Sequence, residues 1–208
     1  MAPPLPLIPG DDALDALAGV LRTRDWATLA LDAADARLRA AADEARTHAA
    51  AGRLAPAATG RADGRQFAGL RGDATLWLDE PACGPAAREL LASLDALRSG
   101  LNRRLLLGLE EVEAHFAHYP PGAGYARHRD RFRSDDARVL SLVVYLNPDW
   151  PDDAGGQLRL HLPDGAVDIA PRMGTVAIFL SADVDHEVLP ATQPRYSVAA
   201  WFRQRPRT

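Results

Sequence analysis

Two histidines and one aspartate have the residue types and the spacing of a metal site. His128 and Asp130 lie two apart in GYARHRDRF, and His186 follows much later in DVDHEVLP. On a strand, residues two apart point to the same side, so His128 and Asp130 can bind one ion. Because the chain holds 6 histidines and 28 acidic residues, such a pair also arises by chance. With His186 added, two imidazoles and one carboxylate make the ligand set that holds Fe(II) and leaves coordination positions open for chemistry.

An arginine follows the third of these residues. Arg195 and Ser197 are two apart in QPRYSVAAWF, so on a strand they share a face. A buried guanidinium binds a carboxylate through two parallel hydrogen bonds. An iron chelated by the keto acid end of 2-oxoglutarate would need such an anchor at the other end, with Ser197 as a further donor. The alternative for Arg195 is a structural ion pair with Asp183 or Asp185.

The elements that must position these residues change character near residue 105. Before it, apolar residues recur with helical spacing, which predicts helices at 11–21, 32–51 and 84–99 and strands at 26–31 and 74–78. After it the period falls toward two, which predicts eight strands, at 110–119, 124–128, 138–146, 157–162, 166–169, 175–180, 185–188 and 196–203.

Eight short strands separated by Gly- and Pro-rich turns predict two packed antiparallel sheets. We therefore expect an α+β fold with a double-stranded β-helix (jelly-roll) core, flanked by N-terminal helices. The whole chain, 1–208, is expected to be one domain, with residues 1–104 as mainly helical support and 105–203 as the catalytic core. Residues 53–73 have little periodicity and are predicted to be a mobile loop.

The composition excludes several classes of function. All 24 basic residues are arginine, so no Schiff-base lysine and no P-loop lysine exists in this chain. The single cysteine, Cys83, rules out an internal disulfide and a cysteine-cluster metal site, and it fits a reducing cytosol. The net charge of −4 gives no general attraction to nucleic acid or membrane. The N-terminus lacks the pattern of a signal peptide, so we expect a cytoplasmic protein.

Longer motifs surround the candidate residues. HYPPGAGYARHRDRF, VVYLNPDWPDDAGGQLRL and VDHEVLPATQPRYSVAAWF follow one another, and RGDATLW precedes them at 71–77. From about residue 71 to 202 the chain resembles the 2-oxoglutarate- and Fe(II)-dependent prolyl 4-hydroxylases. Within that family it is similar to the oxygen-sensing type and its bacterial relatives. Collagen-type members use a lysine as the carboxylate anchor, whereas this chain has Arg195 and no lysine.

The resemblance implies a role for each matching residue. His128, Asp130 and His186 would bind iron, and Arg195 and the Tyr145 hydroxyl would hold the far carboxylate of 2-oxoglutarate. Further residues of the co-substrate pocket would be Tyr119, Val143, Leu158, Val188, Ser197 and Trp201. Substrate contacts would come from Arg138, Arg71, Asp73 and Arg127. The segment 53–73 would close over a bound peptide. The cosubstrates would be 2-oxoglutarate and O2, with ascorbate as a candidate reductant.

Two other functions stay open on the sequence, and three departures from the family pattern bear on substrate preference. The chain could be a 2-oxoglutarate oxygenase acting on another side chain, a free amino acid or a nucleobase, or a non-catalytic module that binds a metal or metabolite. The expected partner is a protein carrying a target proline, with a translation factor as one candidate. Ala199 stands where the animal enzymes have threonine, His115 stands where an apolar residue is expected, and no C-terminal helix is expected after 203.

Overall fold

The computed structural model describes residues 9–57, 70–130 and 137–205. Three helices precede most of the strands: α1 (Asp11–Thr23), α2 (Ala36–Ala50) and α3 (Pro85–Leu105). The strands are β1 (Trp26–Ala30), β2 (Ala55–Pro56), β3 (Ala74–Trp77), β4 (Leu109–Tyr119), β5 (Tyr125–His128), β6 (Arg138–Tyr145), β7 (Leu158–Leu162), β8 (Gly165–Ile169), β9 (Thr175–Leu180), β10 (Asp185–Val188) and β11 (Arg195–Gln204). In this part of the chain, none of the helices is long and apolar enough to cross a bilayer.

Two antiparallel sheets form the body of the structure. The seven-stranded sheet has the order β1-β9-β6-β11-β4-β3-β2, and the four-stranded sheet has the order β5-β10-β7-β8. All eight strands predicted after residue 105 are present, as β4 to β11. The predicted α+β jelly-roll fold is therefore confirmed.

Two helix boundaries differ from the sequence prediction by more than two residues. The Asp32 carboxylate accepts a bond from the Ala34 amide in a turn, and α2 starts later, where Asp35 accepts a bond from the Arg37 amide. The predicted end of α3 at residue 99 is wrong, because the helix continues through Gly100 to Leu105. A Cβ at Gly100 would lie 2.8 Å from Leu14 Cδ1, so this glycine allows α1 to pack closely against α3.

The predicted mobile loop lies only partly within the described residues. Residues 53–57 and 70–73 are described, whereas 58–69 lie outside. The first part contains β2, which pairs with β3, and Arg71 forms a bridge with Tyr125. Both ends of the segment are therefore attached to the sheets.

Strand alternation in the seven-stranded sheet sorts its side chains into two cores. One face of β6 carries Leu140, Leu142 and Val144, which pack with the helices. The other face carries Tyr145 in a second core with residues of the four-stranded sheet. Because successive side chains on a strand point to opposite faces, every second residue of β4, β6 and β11 faces the space between the sheets. The candidate site residues of these three strands, among them Tyr119, Val143 and Arg195, face that space.

Candidate active site

The three candidate metal ligands meet at one point. His128 ends β5 and is the direct register partner of His186 on β10, while Asp130 follows β5. The Nε2 atom of His128 lies 3.5 Å from Asp130 Oδ1, and Nε2 of His186 lies 3.6 Å from Asp130 Oδ2. One ligand atom from each residue lies within 4.8 Å of the others. Residues from distant parts of the sequence thus form a compact cluster that can hold one ion.

Backbone carbonyls orient both imidazoles. The Nδ1 atom of His128 lies 2.8 Å from the Ala126 carbonyl oxygen, and Nδ1 of His186 lies 3.2 Å from the Val184 carbonyl oxygen. A carbonyl oxygen only accepts, so each Nδ1 carries the proton and donates it. The Nε2 lone pairs are therefore free to bind a metal, as in other histidine metal sites.

The protonation states of the cluster also suit a cation. Burial alone would raise the pKa of Asp130, but the adjacent His186 and His128 outweigh it and hold this pKa well below its usual range. Burial lowers the pKa of His186, and the Asp130 charge only partly opposes this. The lowered pKa values of this carboxyl group and this imidazole both favour the deprotonated forms that coordinate a metal.

Arg195 lies in the same interior, almost completely buried at 1% exposure. Its Nε donates to the Gly156 carbonyl oxygen at 2.9 Å, and its Nη1 donates to Ser197 Oγ at 3.2 Å. The guanidinium carbon lies 5.0 Å from the ring centre of Tyr119 and 5.2 Å from that of Tyr145. Among the described residues it forms no ion pair, and Asp185 is instead bound by Arg127 and by a neighbouring arginine. The alternative ion pair of Arg195 with an aspartate is therefore not formed.

The tyrosine hydroxyl beside this guanidinium has no ordinary hydrogen-bond partner. Tyr145 is fully buried, and its Oη makes no hydrogen bond of standard geometry within the described ranges. Burial raises the pKa of Tyr145 to about 12, and the nearby Arg195 acts in the opposite direction. A buried donor without a partner is unfavourable, so this hydroxyl and the cation beside it suit a carboxylate ligand.

A cavity of about 280 Å³ joins the metal cluster to Arg195. Its wall includes all three candidate metal ligands and most of the predicted co-substrate residues, namely Tyr119, Val143, Leu158, Val188, Arg195, Ser197 and Trp201. Tyr145 is not part of the wall. The apolar members of this wall exclude water from the space between the two charged ends.

The residues predicted to contact the protein substrate are less uniformly placed. Arg71 and Arg138 line the cavity, whereas Asp73 and Arg127 do not. Arg71 is paired with Asp73 at 2.6 Å, and its guanidinium lies over the Tyr125 ring. Burial would lower the pKa of Arg71, but its bond to Asp73 outweighs this and raises it.

The guanidinium of Arg138 has partners of its own. It forms an ion pair with Glu113 at 2.7 Å and lies 3.7 Å from the ring centre of Trp201. These two contacts hold Arg138 against the cavity wall, so its charge is already balanced before any substrate arrives.

Sequence reasoning missed three residues that support the site. Ser141 donates to the Asp130 carboxylate from β6. Gly156, with φ +72°, has no room for a side chain, because a Cβ would lie 2.9 Å from Trp150 Cζ2 and 3.4 Å from Arg195 Cδ. Tyr125 stacks on His128 with ring centres 3.6 Å apart. The GG pair in DDAGGQLRL was a usable signal for Gly156, whereas nothing local marks Ser141.

A second group of potential metal ligands, Glu44, His48 and Cys83, is already occupied by other bonds. The Glu44 carboxylate accepts from three backbone amides at the start of α3, those of Gly84, Ala86 and Ala87. His48 Nδ1 accepts from an arginine and its Nε2 lies 3.4 Å from Glu44, while the Cys83 thiol donates to a carbonyl. We assign this group a structural role in joining α2 to α3.

The comparisons with known proteins agree with the geometry. A family model described as the 2OG-Fe(II) oxygenase superfamily matches residues 114–203. A crystal structure of a Pseudomonas putida prolyl-4-hydroxylase is 45% identical, with a TM-score of 0.82 over 92% of this chain and 99% of that chain. This chain belongs to the 2-oxoglutarate and Fe(II)-dependent oxygenases, in their prolyl 4-hydroxylase family. Members of this superfamily use Fe(II), 2-oxoglutarate and O2.

Two relatives of lower sequence identity are also similar to the chain. A prolyl hydroxylase from Trichoplax adhaerens, solved with a hypoxia inducible factor oxygen degradation domain peptide, is 26% identical with a TM-score of 0.81, over 93% of this chain and 90% of that chain. Egl nine homolog 1 from Homo sapiens is 33% identical over 144 residues, which is 64% of this chain and 33% of that relative. The chain thus spans about a third of the length of this human relative.

The donor set fits the metal and co-substrate of the 2-oxoglutarate oxygenases. Two imidazoles and one carboxylate meet, and a set of three protein ligands leaves coordination positions open for a co-substrate. Buried Arg195 lines the opposite end of the cavity, and the Tyr145 phenol, which has no hydrogen-bond partner of standard geometry among the described residues, lies beside its guanidinium and outside the wall. A keto acid with a second carboxylate is complementary to both ends.

Proposed function

We propose that this chain hydroxylates a prolyl residue, at the 4-position, in a protein substrate. The observation that carries the proposal is that one cavity joins two charged ends, a His-Asp-His cluster at one end and buried Arg195 at the other. The similarity to the Pseudomonas putida prolyl-4-hydroxylase over nearly the whole chain supports the choice of proline. The peptide bound to the Trichoplax adhaerens relative supports a polypeptide substrate.

Each proposed residue has a distinct task. His128, Asp130 and His186 hold the metal, which supplies the activation of O2 when it is bound. Arg195 binds the far carboxylate of 2-oxoglutarate and so sets how deeply the co-substrate enters. Val143, Leu158 and Val188 keep water away from it.

The overall reaction balances without a further reactant. One oxygen atom of O2 enters the substrate C–H bond as a hydroxyl, and the other enters succinate, formed with CO2 from 2-oxoglutarate. The protein contributes geometry and a dry cavity, because an orderly reaction requires co-substrate and substrate to be in place together.

We also propose where the reaction takes place and on what. The protein substrate is a cytosolic partner with an accessible proline, and a translation factor is one candidate. Ascorbate is the proposed reductant that maintains the ferrous state. Arg71 and Arg138 at the cavity wall are the proposed contacts of the substrate chain, with Asp73 and Arg127 acting from outside the wall.

Succinate release and peptide mass test this function. Purified protein is incubated with Fe(II), 2-oxoglutarate, O2 and ascorbate, with and without lysate proteins. We expect succinate formation that the lysate increases and a mass gain of one oxygen on prolyl residues. The His186→Ala variant is the control and should form neither product. Oxygen added to other side chains, to free amino acids or to nucleobases would identify another oxygenase class, and absence of succinate would indicate a binding module.

A further inference from the structure

Two buried serine hydroxyls lie behind the metal-facing carboxylate. Ser141 Oγ lies 2.7 Å from Asp130 Oδ2 and 2.8 Å from Ser181 Oγ. Ser141 is 1% exposed and Ser181 is 0% exposed, so water does not compete for these bonds. The two hydroxyls and the carboxylate therefore form one short chain in the protein interior.

The number of hydroxyl protons determines the direction of the two hydrogen bonds between Asp130, Ser141 and Ser181. A serine hydroxyl carries one proton, and an ionised carboxylate only accepts. Ser141 donates to Oδ2 at 2.7 Å, because a carboxylate that binds a metal is deprotonated and only accepts. Ser141 then has no proton for Ser181, and Ser181 must be the donor in the second bond. Both hydroxyl protons, those of Ser181 and Ser141, therefore point toward Asp130.

The chain of hydroxyls crosses from one sheet to the other. Ser141 lies on β6 and Ser181 follows β9, both in the seven-stranded sheet. Asp130 follows β5, which belongs to the four-stranded sheet that also carries both histidine ligands. Asp130 lies at the edge of the described residues, since 131–136 follow outside them. Ser141 therefore holds this carboxylate from the opposite sheet.

We propose that Ser141 is a positioning residue for the metal, and that Ser181 supports it. The inference rests on the metal assignment of the proposed function. By donating to Oδ2, Ser141 fixes the rotation of the carboxylate and directs Oδ1 toward the ion beside His128. One oxygen of Asp130 then serves as ligand, which leaves coordination positions for 2-oxoglutarate and O2. A carboxylate that rotates freely could bind the metal through both oxygens and so occupy two coordination positions.

The expected effect is on metal affinity and is graded. Removal of a residue that orients a ligand typically lowers metal affinity about 10- to 100-fold. Ser141→Ala should therefore weaken metal binding by about this factor. Ser181→Ala should weaken it less, because Ser141 can still donate to Asp130 without it.

The experiment measures Mn(II) and Fe(II) dissociation constants of the apoprotein without oxygen, in competition with a coloured chelator. Ser93→Ala is the matched control, because Ser93 is also buried and donates to a helical carbonyl, that of Glu89, at 2.8 Å. Urea unfolding of each apoprotein accompanies the titration. We expect Ser93→Ala to bind metal within twofold of the parent.

A second pair of variants separates the hydroxyl from packing. Ser141→Thr and Ser141→Val have nearly the same shape, but only threonine keeps the hydroxyl. We expect threonine to retain the parent affinity within about threefold and valine to lose at least as much as alanine, by the same orienting effect. Equal affinities for the two variants would overturn the inference.

The metal assignment has its own control. The parent protein should bind one ion, and Asp130→Asn and His186→Ala should lose it. If these two variants bind as tightly as the parent, the proposed function fails. If they lose the metal while Ser141→Ala stays within twofold, the role of Ser141 is refuted and the metal site stands.

Discussion

Replacing Tyr145 by phenylalanine should have opposite effects on stability and on co-substrate binding. The Tyr145 hydroxyl is completely buried and makes no hydrogen bond of ordinary geometry to the described residues. A buried unsatisfied donor destabilises a protein by about 1–3 kcal/mol, so its removal should raise the free energy of unfolding of the apoprotein by about 1 kcal/mol. Phenylalanine fills the same space, so no cavity offsets the gain.

The same hydroxyl lies near the Arg195 guanidinium, where the carboxylate of 2-oxoglutarate is proposed to bind. A hydrogen bond to a charged group contributes about 1.5–3 kcal/mol. Its loss should weaken 2-oxoglutarate binding about 10- to 150-fold, since each 1.4 kcal/mol corresponds to about a factor of ten. Tyr145 is outside the cavity wall, so the test also decides whether the ligand reaches it.

Urea unfolding of the apoprotein and calorimetric titration of 2-oxoglutarate into Mn(II)-loaded protein measure the two effects. Tyr196→Phe is the matched control, because Tyr196 is on the opposite face of β11 from Arg195 and stacks on His118. A 2-oxoglutarate dissociation constant within twofold of the parent would show that the hydroxyl does not bind the co-substrate. Destabilisation of the apoprotein by more than about 1 kcal/mol would show that the hydroxyl has a structural partner.

Three further predictions concern Arg195, His115 and Cys83. Arg195→Lys should keep the charge but lose the bonds to Gly156 and Ser197, and it should raise the 2-oxoglutarate dissociation constant at least about tenfold in the same titration, with little change in Mn(II) affinity. Burial lowers the pKa of His115 to about 4 in the folded protein. The unfolded chain therefore binds a proton at this imidazole more readily, and the free energy of unfolding should fall by about 3 kcal/mol between pH 6.5 and 4. Urea unfolding of His115→Leu across that range should show a shallower pH dependence, and an unchanged slope would contradict the burial argument. Burial raises the pKa of Cys83 to about 11, so a thiol reagent at pH 8 should modify it only in urea, and rapid reaction of the folded protein would show that the thiol is accessible.

The sequence predicted the strands well because their causes are local. Alternating apolar residues and Gly- or Pro-rich turns determine β4 to β11, and each predicted strand is present. The end of α3 could not be predicted, because a glycine often marks the end of a helix. Gly100 lies inside α3 and allows close contact with Leu14. That contact joins α3 to α1, and the sequence around Gly100 contains no pattern that indicates it.

The site also contains residues that local sequence motifs indicate and residues that only tertiary packing places. His128, Asp130, His186 and Arg195 carry recognisable motifs, and the structure brings them to one cavity. Ser141 is an ordinary serine in an apolar strand, and its bond to Asp130 depends on how two sheets face each other. Supporting residues of this kind are determined by tertiary packing and need coordinates to be found.

Because His128 pairs directly with His186, metal binding at these residues depends on the alignment of β5 with β10. A shift of β5 by one residue against β10 would turn the His128 side chain to the other face of the four-stranded sheet. Only molecules with the correct alignment would then offer both nitrogens to one ion. The ion would therefore select correctly paired chains from misaligned ones, and metal supplied during refolding should increase the yield of native protein.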